Sequence, residues 1–111
     1  MYNMRNKVTL IGNLGNTAEV KTFEGDKKMA RVSIATNETY KNKKGERVTD
    51  TTWHNIVAWG SLASILEKYT QKGSEVAVEG KLVNRNYTDK EGIKRYTTEI
   101  HLSDLLLLGG K

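Results

Sequence analysis

The chain has 111 residues, 37% of them hydrophobic, enough for one modest core and too few for two ordinary domains. Lys and Arg outnumber Asp and Glu by 18 to 13, a formal net charge of +5, which favours a polyanionic partner. The absence of cysteine excludes disulfides and thiolate metal sites, no apolar run approaches the ~20 residues of a membrane span, and no apolar signal region follows Met1, so we expect a soluble intracellular protein.

Lys7 to Leu14 alternates as a strand, and Gly12 inside it marks a bulge or a close backbone approach. Gly15-Asn16 is a turn signal, and Glu19 to Phe23 is a second extended piece closed by Glu24-Gly25-Asp26. Lys28 to Tyr40 is a longer strand. Met29, Arg31, Ser33, Ala35, Asn37 and Thr39 share one side; Ala30, Val32, Ile34, Thr36, Glu38 and Tyr40 share the other, whose first half is the better apolar face. Lys41, Lys43, Lys44 and Arg47 then gather around Gly45 against the single acid Glu46, which reads as a mobile hairpin tip. Many basic turns are only solvated, but a place between Tyr40 and Trp53 favours tracking of phosphates.

Thr51 to Gly60 holds both tryptophans and is rich in β-branched and aromatic residues, which suits a strand. Alternation sets Trp53, Asn55, Val57 and Trp59 on one face and His54, Ile56 and Ala58 on the other, a small core face. A lone tryptophan is usually well buried. Here the opposite face already has its apolar residues and the flanks are basic. Aromatic platforms beside positive charge are what unpaired nucleic acid needs.

A helix follows, with Ser61 as N-cap, Leu62, Ile65, Leu66 and Tyr69 at helical spacing as core packing, and Gly73 as its stop. Ser74 to Val83 is a strand with Val76, Val78, Gly80 and Leu82 facing one way. Asn84 to Tyr96 is a long hairpin turning at Asp89-Lys90-Glu91-Gly92, Thr97 to Leu102 completes the sheet, and Leu105 to Leu108 is a last strand or packing segment. The order predicts an all-β chain: an OB-fold, a five-stranded Greek-key barrel with one short helix between strands 3 and 4 and long β-hairpin loops, formed by residues 1–111 as one domain.

Residues with the spacing of a catalytic or metal site are lacking. His54 and His101 each lack a partner at metal-ligand spacing, and His54 reads as a packed or interface residue. Gly12-Asn13-Leu14-Gly15 has no following Lys-Ser/Thr, no serine sits in a nucleophile elbow, and no acid pair stands out as a general acid/base couple. We expect no cofactor, no metal and no enzyme activity.

The residues themselves resemble the bacterial single-stranded DNA-binding protein family. The resemblance runs through Asn6 to Gly15, Ile34 to Tyr40, Thr52-Trp53-His54 with Trp59-Gly60, Lys72-Gly73-Ser74, Val78 to Leu82, and Arg85, Tyr87, Asp89, Gly92, Arg95, Tyr96 and Thr97. Each piece alone is weak; their joint order is specific. The resemblance implies an OB-fold subunit, usually in a homotetramer, that coats unpaired DNA in replication, recombination and repair. It places base stacking on Tyr40, Trp53, Trp59 and Tyr87, where the family often has Trp, Trp, Phe and Trp. It places His54 at a subunit interface, to which the strand edge of Lys7, Val8 and Leu10 could contribute. The family's acidic tail is not seen before the Gly-Gly-Lys end, so tail-dependent partners are not expected, and the location implied is the bacterial cytoplasm at the nucleoid.

The mechanism that follows is binding without catalysis. Lys41, Lys43, Lys44 and Arg47 from one hairpin and Arg85, Lys94 and Arg95 from the other would contact phosphates beside the four rings. The rivals are a metal-dependent nuclease on the same barrel, a primosome-type module that docks to replication enzymes, and a specific RNA binder.

Overall fold

The computed structural model describes residues 5–108; the readings made of the two chain ends lie outside the described residues. Alternation builds six strands: β1 (Val8–Leu14), β2 (Glu19–Phe23), β3 (Lys27–Lys41), β4 (Arg47–Trp59), β5 (Glu75–Thr88) and β6 (Lys94–Leu107). A short 3-10 turn, Glu24–Asp26, follows β2, and the helix α1 (Ser61–Tyr69) lies between β4 and β5. The sheet order is β1-β5-β6-β4-β3-β2, with β1 also paired to β3. All pairings are antiparallel except a short parallel contact of β4 with β6, Ile56 beside Ile100 and Val57 beside His101, which closes the sheet into a barrel.

β1 and β2 are one strand bent at a corner. β1 ends opposite Ala35 and Ile34, and β2 resumes opposite Arg31 on the same partner. At the bend the Gly15 N–H donates to the Ser33 carbonyl at 2.8 Å, and the Ser33 N–H donates to Asn16 Oδ1 at 2.9 Å, so a side chain replaces a missing ladder bond. Counting the bent pair once gives the five-stranded OB-fold with its helix between the third and fourth strands.

One pleat of each long strand supplies the core: Ala30, Val32 and Ile34 from β3, Ile56 and Ala58 from β4, Val76 and Val78 from β5, and Ile100 from β6, with Leu14 of β1. Ala63 and Leu66 of α1 close the barrel's end. The helix differs from its sequence reading at both ends. Gly60 stands at the cap position with no side-chain bond, so Ser61 is the first helical residue rather than the cap. Tyr69 is exposed, not part of the buried stripe. The helix stops before Thr70, whose buried hydroxyl donates to the Leu66 carbonyl, and Gly73 belongs to the turn beyond. Among the described residues no helix is long and apolar enough to cross a membrane.

β3–β4 and β5–β6 run past the barrel as two-stranded arms, and the segments read as strand, hairpin and strand between Ser74 and Leu108 are just these two continuous strands. The arms end in turns of the same design. Asn42 Oδ1 accepts the backbone N–H groups of Lys44 and Glu46, and Asp89 Oδ1 accepts those of Glu91 and Ile93. Gly45 (φ 78°) and Gly92 (φ 81°) take the left-handed position of each turn. The tip expected to be mobile is thus tied at both ends of Asn42 by hydrogen bonds.

Gly12 proves to be a close backbone approach rather than a bulge: a Cβ there would fall 2.3 Å from the Ala35 carbonyl oxygen. β5 and β6 carry the irregularity instead, a register shift at Glu79/Gly80. We expect Gly12→Ala to destabilise the fold by about 1–3 kcal/mol. The check is a lower urea midpoint at unchanged m; an unchanged midpoint would mean that β1 can move off β3 at no cost.

Candidate nucleic-acid interface

The pleat that faces away from the core carries the candidate side chains. Across β3, β4 and β6, Arg31, Val57 and His101 form one row by register. Trp59 stands two residues along β4 from this row, opposite Met29, and Trp53 lies four residues the other way, opposite Ala35. Both tryptophans are exposed, Trp53 at 61% and Trp59 at 46%, as is Tyr87 at 53% on the β5–β6 arm. The core reading of the tryptophans therefore fails. Trp53 lies over the corner: a Cβ on Gly15 would come within 2.3 Å of its ring, so the glycine leaves the ring its place. Trp59 lies beside Phe23, with ring centroids 6.1 Å apart at 30°.

Between the rings sits a buried acid. Glu99 is 3% exposed. Its Oε2 accepts from Arg31 Nη1 at 2.7 Å and lies 3.5 Å from Arg85 Nη1, and its Oε1 lies 3.2 Å from His101 Nε2. Burial raises its pKa, but hydrogen bonds from Arg31 and His101 and the charges of Arg31 and Arg85 outweigh that and hold the carboxyl below its usual range. Val57 is buried although it points away from the core; by register it lies between Arg31 and His101, and it lines a cleft with Arg85 and Glu99. Two clefts flank the Arg31–Glu99 pair, one beside Trp59 and Val57, the other beside Ser33, Asn55 and Asn16.

The arms add charge. Lys41 and Arg47 face each other across β3–β4 on the pleat of Trp53, with Lys43 and Lys44 in the turn beyond. Arg85 and Arg95 share the pleat of Tyr87, Arg95 directly opposite that ring, whereas Lys94 lies on the other pleat. Arg95 Nε donates to Asp89 Oδ2 at 2.9 Å. The Asp89 pKa is lowered, first by the Ile93 N–H, then by Arg95, with a further N–H from Glu91. Tyr40 is 49% exposed but pairs with Val48 on the pleat of Ile34 and His54. The structure thus brings Trp53, Trp59, Tyr87, Lys41, Arg47, Arg85 and Arg95 to one side and sets Tyr40 and Lys94 on the other.

His54 is half-buried, with Nε2 3.1 Å from Thr36 Oγ1. Val8 and Leu10 pack against the core, so the side chains that β1 turns outward are Thr9 and Ile11; Lys7 pairs with Glu79 at 3.6 Å. Reading the sequence missed Phe23, Arg31 and Glu99. Arg31 did carry a signal, a lone cation on the outward side of an apolar strand. Among the described residues, no three His, Asp or Glu side chains are grouped to hold a metal ion.

The profile of the Single-strand binding protein family matches residues 5–108. Single-stranded DNA-binding protein 1 of Xylella fastidiosa is 45% identical over 107 residues, which is 96% of this chain and 79% of that protein. Single-stranded DNA-binding protein 1 of Chlorobaculum tepidum is 43% identical, and this chain spans 66% of its length. A solved structure, the Plasmodium falciparum SSB complex with ssDNA, superposes with a TM-score of 0.86 at 33% identity, covering 97% of this chain and 98% of that one.

The lowered pKa of Glu99 makes the fold acid-sensitive. Its contribution is complete above the carboxylate range of the unfolded chain and is lost as the pH falls through the lower folded value. We expect the urea midpoint to fall between about pH 5 and pH 3, and Glu99→Gln to flatten that fall. Parallel slopes for the two proteins would show that Glu99 does not titrate with folding.

Proposed function

The chain belongs to the single-strand binding protein family, and from that premise we propose that it binds single-stranded DNA without strict sequence choice, as one DNA-binding domain serving replication, recombination and repair. The observation that carries the reading is the shared pleat: exposed rings and cationic side chains on one side of the barrel. Trp53, Trp59 and Tyr87 stack bases, Phe23 widens the platform at Trp59, and Arg85, Arg95, Lys41 and Arg47 neutralise phosphates. Lys43 and Lys44 extend the charge at the arm's tip. Tyr40 and Lys94, on the rear pleats of the β3–β4 and β5–β6 arms, meet a strand that passes over the arms' edges. Every base has a π-face, which accounts for weak sequence preference, and a duplex hides those faces, so single strands win. Binding involves no catalysis.

Self-association belongs to the same reading. We place a homotetramer contact at His54 and along the β1 edge, with Lys7 at its rim and Thr9 and Ile11, rather than Val8 and Leu10, turned to the neighbour. The protein acts in the bacterial cytoplasm at the nucleoid.

Titration with oligo-dT quenches tryptophan fluorescence, and matched duplex competes poorly; no quenching, or equal affinity for duplex, removes the proposal. Trp53→Ala leaves the urea midpoint nearly unchanged and costs roughly 1–3 kcal/mol of binding, the range for stacking in single-strand binders, or ~5- to ~150-fold in affinity. Matched DNA and RNA oligomers in competition read out the preference between them.

A further inference from the structure

An acid at the centre of a surface that attracts phosphates calls for an explanation. Glu99 is 3% exposed and the groups paired with it are Arg31, Arg85 and His101, so its own field is largely spent on them. Arg31 and Arg85 reach the same oxygen, Oε2, which draws two guanidiniums together that would otherwise repel. Each guanidinium has five N–H donors; Arg31 uses one in a hydrogen bond to Glu99, and Arg85 stands beside it as an ion pair at 3.5 Å. The side chains stay 37% and 54% exposed, so further donors face solvent. Arg31, Arg85 and Glu99 together carry a net charge of +1, and Glu19 stands opposite Arg31 on β2 and lines the same cleft. Its place is set by register: Arg31 lies opposite Val57, ~7 Å along β4 from Trp59 and ~14 Å from Trp53. An anion held there would lie between the two rings.

We propose that Glu99 is a positioning residue that fixes Arg31 and Arg85 as one two-guanidinium seat for a single DNA backbone phosphate between bases stacked on Trp59 and Trp53. Planar guanidinium forks match phosphate oxygens, and holding both in place beforehand saves the ordering that two free arginines would undergo on binding. This rests on the reading of this face as the DNA surface.

The test turns on a sign. Glu99→Gln raises the net charge from +5 to +6. If charge alone counted, binding would tighten. Positioning instead predicts that affinity for oligo-dT falls about tenfold, the scale of a charge-assisted hydrogen bond, and that the slope of log K against log salt shrinks by ~0.7, one phosphate's share on a single strand. Measurements at about pH 8 keep an ordinary imidazole neutral. Glu67→Gln makes the same charge change on α1, where Glu67 pairs with Lys28, and leaves affinity unreduced. Glu99→Asp, which keeps the charge, recovers most of the loss. Binding by Glu99→Gln as tight as or tighter than the parent overturns the proposal, and so does a loss with no change in slope. If Glu99→Gln does not fold, Arg31→Gln carries the test: a lower slope supports the seat, and an unchanged slope removes it. A parent protein that ignores oligo-dT altogether would remove the underlying reading, which separates the two failures.

Discussion

β4 and β6 meet over two residue pairs, Ile56 with Ile100 and Val57 with His101, and most of the molecule follows from that short parallel seam. On the inner pleat it joins Ile56 to Ile100 and completes the apolar ring of the core. On the outer pleat it brings β6 beside β4 and within reach of β3. Only this closure lets Glu99 meet Arg31, 68 residues away in sequence. The barrel's interior and the charged centre of its outer face are therefore two sides of one contact.

Much of the architecture was legible because strand periodicity is strict. The parity of Thr51 to Gly60 separated Trp53 and Trp59 from Ile56 and Ala58, and the structure keeps that separation. Parity also put Tyr40 with Ala30, Val32 and Ile34, opposite Arg31; resemblance to a family grouped it with the tryptophans, and the unbroken β3–β4 register follows the parity. The helix was found but its start was misplaced. A serine before an apolar run is a good cap signal, yet here Gly60 makes the exit from β4 and no side-chain cap forms. The Glu99 cluster was not legible. Its four members lie on three strands, and an acid in an alternating strand reads as a solvated one until the register is known.

The arms show how alternation distributes charge. On the β3–β4 arm, Lys41 and Arg47 face each other on the front pleat, and Glu38 and Asp50 face each other on the rear. Like charges directly across a ladder weaken it. Each face thus carries a self-repulsion that an oppositely charged partner would relieve. The front would accept a polyanion and the rear, at Glu38 and Asp50, would not, so a strand that meets Tyr40 on that rear pleat does so at the arm's edge, and the arm has a sidedness that its overall composition conceals.

The two turns share a plan but differ in one atom group. Asn42 accepts its two N–H groups through an amide oxygen that gains no proton, whereas Asp89 accepts its bonds as a carboxylate whose pKa the Ile93 N–H and Arg95 have lowered. Acidification through that lowered value would add a proton where the β5–β6 turn needs an acceptor and would loosen Arg95 with it, while the two N–H bonds to Asn42 Oδ1 would remain. Two arms with the same turn design would then respond differently to acid, and the one that loosens bears Tyr87.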